Sequence, residues 1–444
     1  MIPDGLSRGS AVVEFLDVKP VDEARRALLA GWFAQAGRPP RLLCVEDADL
    51  SSALGRVLAR DVVSPEDVPA DRRSTVDGFA VAARDTFGAS EALPAMLEVI
   101  QDIAMGRMPE KAQGPGQASR IPTGGVLPGG ADTCVMVEHA ELLDDGTVLV
   151  ERPSSPGENV VQRGEDVARG ETVLGAGRVL SPFDIGALAS IGVSSVPVVA
   201  RPRVAVISTG DEIVPPGTAP CPSQVRDINN YSLSASVRRL GAEPVALGIA
   251  EDTYPALRLL VEKGLEQADM VAVSGGSSVG ARDVAVKVFS DLGPPGVLVH
   301  GVAVKPGKPV ILGVCRGKPV FGLPGHPVSA LTAFDLFVRY ALNVMVASAV
   351  RKAPADPALV AALSSSQETW VDARLSRSVS SAPGREDHVR VRLVRKAGEL
   401  VADPVLGKSS LISIMVDSDG EMVVPSESEG LIEGTRVQVR ILRG

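Results

Sequence analysis

VAVSGGSSVGARD, Val271 to Asp283, is the stretch on which the fold turns. A valine-rich apolar run stops at Ser274, gives way to two glycines and two serines, and resumes with an acid where a helical pattern begins. Four to six apolar residues bounded in this way read as a buried strand running into a loop and a helix, the repeating unit of α/β proteins. The same alternation extends in both directions, from Arg203 to about Met345. RVAVIST, PVALGIA, MVAVSG and VLVHGVAV predict strands; YSLSASVRRLGA, YPALRLLVEKGLEQ and DVAVKVFSDLG predict helices. The expectation is a parallel sheet covered by helices, over residues 201–350.

The flanks have a different texture. VDEARRALLAG, ending at Gly31, and DLSSALGRVLARDV, led by Asp49 or Ser51, predict helices. Between residues 66 and 164, short apolar runs such as TCVMVEHAEL and GTVLVERP are punctuated by GPGQ, LPGGAD and DDG, the pattern of a small β domain. The PFDIGALASIG helix and the SSVPVVA strand follow, and pack back on the N-terminal helices to give a discontinuous domain of residues 1–65 and 165–200. Beyond the PADP linker, residues 351–444 alternate as strands do in HVRVRLVRK, GEMVVP and TRVQVRIL and predict a C-terminal β-barrel. The fold class is therefore α/β plus β, in a multidomain chain.

Composition excludes several functions. A formal charge of -9 over 444 residues disfavours non-specific nucleic-acid binding, and 3% aromatic residues leave few platforms for stacking bases. Any anionic substrate must therefore meet a local basic site. Cys44, Cys134, Cys221 and Cys315 lie far apart without a CxxC pair, which argues against a thiolate zinc site or a disulfide framework. The apolar tract from Pro327 is interrupted by Asp335 and Arg339, so no membrane span is expected, and with no secretory leader pattern the chain reads as cytoplasmic.

Ligands of open parallel sheets bind beyond the carboxyl ends of the strands, and the unusual motifs fall there: STGDE with Asp211 and Glu212, AEDT with Glu251 and Asp252, SGGSSVGARD with Asp283, VKPGKP with Lys305 and Lys308, and GLPGHP with His326. Gly275 and Gly276 let backbone amides approach a ligand, and Ser277 and Ser278 add hydroxyls, so the loop suits a phosphate. Asp283 beside a phosphate would repel it unless a divalent cation mediates, and Mg²⁺ binds through one or two carboxylates plus phosphate oxygens. Each motif also has a plain reading. Asp283 and Asp252 are placed to cap helices, KPGKP is a turn with solvated lysines, and Asp77-Gly78 is a hairpin turn. Their common position is what favours a site.

Taken together, SALGRVLARDVVSPEDVP, STVDGFAV, RIPTGGVLPGGAD, GENVVQRGEDVARG, RPRVAVISTGDEI, GIAEDT, SGGSSVGARD, VKPGKP, GLPGHPVSA and IEGTRVQVRIL, in this order over nearly the whole chain, resemble the molybdopterin molybdenumtransferase family. The resemblance implies a molybdopterin-binding-like sheet domain and a final step of molybdenum cofactor synthesis: molybdate enters adenylylated molybdopterin and AMP is released in an Mg²⁺-dependent reaction, on a homodimer. It assigns catalytic roles to Asp77, Thr123, Glu212, Asp252 and Asp283, with Asp252 and Asp283 at the metal. It assigns the oxyanion, molybdate or tungstate, to Lys305, Lys308, Pro309, Ser329, Arg390 and Ser409. Arg72 and Arg73, Val76, Phe79 and His326 depart from the family's usual residues, and none of them removes a carboxylate named above. A molybdopterin adenylyltransferase and a non-catalytic scaffold on the same fold are the alternatives. The motifs outside the sheet domain argue against the first, and retention of all five polar positions against the second.

Overall fold

The sheet that carries most of these motifs is built on strands buried almost throughout, RVAVIST at Arg203–Thr209 and MVAVSG at Met270–Gly275. The computed structural model describes residues 18–34, 43–275, 279–351, 357–396 and 398–443. They form two compact units, Met1–Glu46 with Val199–Gly444 and Asp47–Val198. The first helix, α1 (Val21–Phe33), belongs to the larger unit and contacts strands of its sheet rather than the elements of residues 47–65. It also runs through Gly31, the residue expected to end it. A Cβ there would lie 2.4 Å from Leu298 Cδ1, so the glycine serves close packing and not termination.

In the smaller unit, β1 (Gly78–Val81), β2 (Ala95–Asp102), β3 (Gln117–Ile121), β4 (Thr133–Met136), β5 (Ala140–Leu142) and β6 (Thr147–Val150) form one sheet in the order β4-β1-β3-β2-β6-β5. Alternation splits its apolar residues between two faces. Phe79, Val81, Leu97 and Val148 pack on one, Ala80, Ile121 and Cys134 on the other. A separate core unites distant segments: Ala48, Leu58 and Val62 pack with Leu174, Leu188 and Val198. There α2 (Pro182–Ser190) opens on a capping box between Ser181 and Asp184. DLSSALGRVLARDV is not a helix. Only Leu50–Ser52 makes a 3₁₀ turn, Gly55 sits at φ +72°, and Leu58 bridges Val198 while its amide donates to Arg178 O at 2.9 Å. Ladder bonds to a distant segment outweigh a modest local helix preference.

In the larger unit the expected alternation is present: β7 (Arg203–Thr209), α3 (Asn229–Arg239), β8 (Glu243–Ala250), α4 (Tyr254–Gln267), β9 (Met270–Gly275), α5 (Val279–Asp291) and β10 (Gly296–His300). After a short β11 (Val304–Lys305) come β12 (Ile311–Cys315) and β13 (Lys318–Leu323), a hairpin absent from the sequence reading. Its turn is Arg316-Gly317, both at positive φ. The sheet order is β8-β7-β9-β13-β12-β10, parallel except for β12, which runs antiparallel to both neighbours. The expectation of a wholly parallel sheet is corrected by that one strand. Because β10 again points the way of β7, β8, β9 and β13, the carboxyl ends of all five share a rim. Val271, Val273, Phe289 and Leu257 are buried between strands and helices.

The helix α6 (Pro327–Ala333) continues through a π-helical turn, Phe334–Val338, into α7 (Arg339–Arg351), against which α8 (Pro357–Ser366) packs. Contrary to the sequence expectation, Pro327–Val350 is long and apolar enough to cross a membrane by length and composition. It is 78% buried inside the protein, as a core helix is. The C-terminal strands β14 (Trp370–Leu375), β15 (Glu386–Lys396) and β16 (Glu399–Pro404), the short helix α9 (Ile412–Asp417), and the strands β17 (Gly420–Val424) and β18 (Arg436–Ile441) complete the unit. The five strands follow β15-β16-β14-β18-β17 and close, β17 pairing with β15, around Val391, Ala402, Met422 and Val439. β11 joins this barrel alongside β15, with Lys305 opposite Asp387.

Candidate functional site

Strand ends and loops of the larger unit enclose a cleft of about 890 Å³. Gly275 at the end of β9, Lys305, Lys308 and Pro309 of the KPGKP loop, Ser329 on α6, Arg390 on β15 and Ser409 before α9 all line it. Residues spread over more than a hundred positions therefore meet at one place. Gly275 is required by the approach of two strands: its φ is +146°, and a Cβ would lie 1.9 Å from Thr209 O.

Two cations of the cleft, Lys305 and Arg390, are paired with carboxylates behind them. Lys305 Nζ lies 3.2 Å from Oδ2 of Asp387, whose side chain is 4% exposed and whose Oδ1 accepts from Arg385 Nε at 2.8 Å. Arg390 pairs across the strands with Glu421, the two residues being directly opposite in the β15–β17 register, with Arg390 Nη2 at 3.4 Å from Glu421 Oε2. Ser409 is tied to the start of α6 twice: its Oγ is 3.1 Å from His326 Nδ1, and its carbonyl accepts from Val328 N at 3.2 Å. Cationic groups with hydroxyl and amide donors, half in water and half in protein, suit a small dianion.

Next along the rim lies an acidic neighbour. Asp252, after β8, accepts from Thr209 Oγ1 at 2.7 Å, and its amide donates to Asp211 Oδ1 at 3.0 Å. Exposed Glu212 follows β7. Asp283, also exposed, is in the second turn of α5, because the helix begins at Val279 and not at Asp283 as expected. It is therefore not a cap. Gly276, Ser277 and Ser278 lie outside the described residues. Glu212, Asp252, Asp283 and Lys308 all follow carboxyl ends of strands that point one way. In the smaller unit, Asp77 Oδ1 accepts from Thr123 N at 2.8 Å and Thr123 Oγ1 at 3.1 Å, holding the two predicted residues as a pair.

Sequence reasoning missed the groups behind the site. Asp227, 6% exposed, accepts from Ser208 Oγ at 2.8 Å and Asn230 N at 3.1 Å; Asn229 Nδ2 donates to Ser274 Oγ at 2.8 Å and to Gly325 O at 2.7 Å. Asp387, His388 and Glu421 were missed as well. The signal was present in REDHVRVR, where charges stand at positions a barrel strand buries.

Comparison with known proteins matches the chain to three models: "MoeA N-terminal region (domain I and II)" over residues 19–192, "Probable molybdopterin binding domain" over 205–344, and "MoeA C-terminal region (domain IV)" over 372–442. It is 34% identical over 396 residues to molybdopterin molybdenumtransferase 2 of Mycobacterium tuberculosis, covering 88% of this chain and 93% of that one. With the molybdopterin molybdenumtransferase of Bacillus subtilis it shares 32% over 428 residues, 96% and 94% of the two chains. The crystal structure of the molybdopterin biosynthesis MoeA protein of Pyrococcus horikoshii superposes with a TM-score of 0.79 at 36% identity, covering 96% of this chain and all of that one. By its sequence along nearly its whole length, and by its fold, the chain belongs to the molybdopterin molybdenumtransferase (MoeA) family.

Proposed function

We propose that this chain inserts molybdate into adenylylated molybdopterin and releases AMP, as a cytoplasmic homodimer. The observation that carries the reading is the cleft in which Lys305, Lys308 and Arg390 converge with Ser329 and Ser409. In this reading the cleft takes the oxyanion. A water oxygen attacks the adenylyl phosphorus, the P–O bond to the pterin phosphate breaks, and AMP departs. The two dithiolene sulfurs displace one molybdate oxygen, which leaves as water with the thiol protons. Asp77 and Thr123 orient polar groups of the substrate, and Glu212 receives a proton at its exposed carboxylate.

Mg²⁺ is part of the proposal. Among the described residues no three His, Cys, Asp or Glu side chains cluster as metal ligands. Mg²⁺ needs no such cluster, since one or two carboxylates can hold it with phosphate oxygens and water completing its shell. Asp252, with one oxygen engaged by Thr209, and exposed Asp283 are the residues that would hold it. When bound, the ion would offset phosphate charge.

The sheet domain alone would serve the rival adenylyltransferase reading, but the N- and C-terminal matches extend well beyond it. The test is to incubate the protein with adenylylated molybdopterin, Mg²⁺ and molybdate and follow AMP. Steady AMP release, with a molybdate dependence that Lys308→Ala shifts to higher concentration, supports the reading. Absence of AMP would overturn it.

A further inference from the structure

A buried charge ladder stands behind the cleft. Glu421 on β17 is opposite Arg390 of β15 on one side and opposite Arg440 of β18 on the other. Its Oε1 lies 3.0 Å from Arg440 Nη2 and 3.1 Å from His388 Nδ1, and its Oε2 3.4 Å from Arg390 Nη2. His388, two residues before Arg390 and so on the same face of β15, has its Nε2 3.6 Å from Glu386. Arg440 also binds Asp335 of the π-helical turn at 2.8 Å. Exposures of 8% for Arg390, 8% for His388, 3% for Glu421 and 6% for Arg440 put the network out of water, although Arg390 and His388 both border the cleft.

A carboxylate directly behind an arginine fixes the guanidinium and at the same time cancels its charge. Arg390, Arg440, Arg339 and protonated His388 balance Glu421, Asp335, Glu368 and Glu386. A neutral imidazole would leave one net negative charge behind the cleft, and a dianion in front of it would be bound less well. The groups facing the imidazole agree with the charged form. Burial disfavours it, but Glu421 and Glu386 outweigh burial and hold His388 at about 9, with Arg25 of α1 on the far side of Glu386.

We infer that Glu421 and His388 are positioning residues of the oxyanion site, Glu421 holding the Arg390 guanidinium at the cleft wall and His388 offsetting the Glu421 charge so that Arg390 presents its own to the anion. The inference rests on the oxyanion reading of the cleft. It is tested on the full chain by calorimetric titration with sodium tungstate alone. Glu421→Gln and His388→Gln each weaken tungstate binding about tenfold at pH 7. His388→Gln also removes the loss of affinity that the wild type shows as pH rises through about 9. In an Arg390→Ala background Glu421→Gln has no further effect, because it acts through Arg390.

Wild-type protein that does not bind tungstate would remove the oxyanion reading and this inference together. Wild-type binding that both variants leave within twofold, or that Glu421→Gln weakens equally without Arg390, would overturn the inference and leave the reading standing. Glu421→Asp, which keeps the charge and withdraws it by one methylene, serves if the glutamine variant does not fold; unchanged affinity there overturns the inference as well.

Discussion

Individual side chains carry the sharpest consequences. Asp283 is exposed on α5 and caps nothing, so Asp283→Asn is expected to leave thermal stability unchanged within about 0.5 kcal/mol. It abolishes AMP release from adenylylated molybdopterin, and normal turnover by this variant would remove its metal and phosphate role. The titration of His388 predicts a pH dependence of stability. Its pKa is raised from 6.5 to about 9 in the folded protein, so its contribution is complete below about pH 6.5 and is lost as pH climbs through about 9. That loss is on the order of 3 kcal/mol. Melting temperature should therefore fall between pH 7 and pH 9.5 in the wild type, and less in His388→Gln. The thiols divide cleanly. Burial pushes Cys134 up to about 11 and Cys315 up to about 12, whereas Cys44 and Cys221 are exposed. A thiol reagent at pH 8 is expected to label Cys44 and Cys221 in the native protein, and Cys134 and Cys315 only after unfolding.

Among the elements, the ends of β7 and β9 are the least forgiving. Gly275→Ala would drive a methyl group into Thr209 O, at a φ that L-residues rarely adopt. The two strands cannot separate without breaking the parallel ladder between Thr209 and Gly275. A cost of about 3 kcal/mol or more is expected, read as a lowered urea midpoint, together with loss of tungstate binding. Much at this scale was legible from the sequence. Continuous apolar runs such as RVAVIST can only be strands buried on both faces, and Gly-rich breaks mark where they end. DLSSALGRVLARDV was misread because its pattern fits a helix, while the decisive partners, Arg178 and Val198, lie more than a hundred residues away. The Arg316-Gly317 hairpin was missed because the two short apolar runs that flank its two-residue turn, between the KPGKP and GLPGHP motifs, were assigned no element.

At the scale of the whole molecule, Asp47–Val198 closes its own cores: a two-faced sheet and the cluster that joins residues 48–62 to 174–198. A fragment of residues 47–198 is therefore expected to fold alone, with a cooperative thermal transition by circular dichroism; a non-cooperative melt would show that its cores are incomplete. The sequence by itself determined the αβ alternation, the rim on which Asp252, Asp283 and Lys308 fall, and the family, because strand periodicity and loop chemistry are local properties. Only the tertiary structure decided which charges stand behind the site. Asp387 and Glu421 acquire their meaning from pairing with Lys305 and Arg390 across strands, and the burial that makes those pairs strong exists only once the barrel has closed.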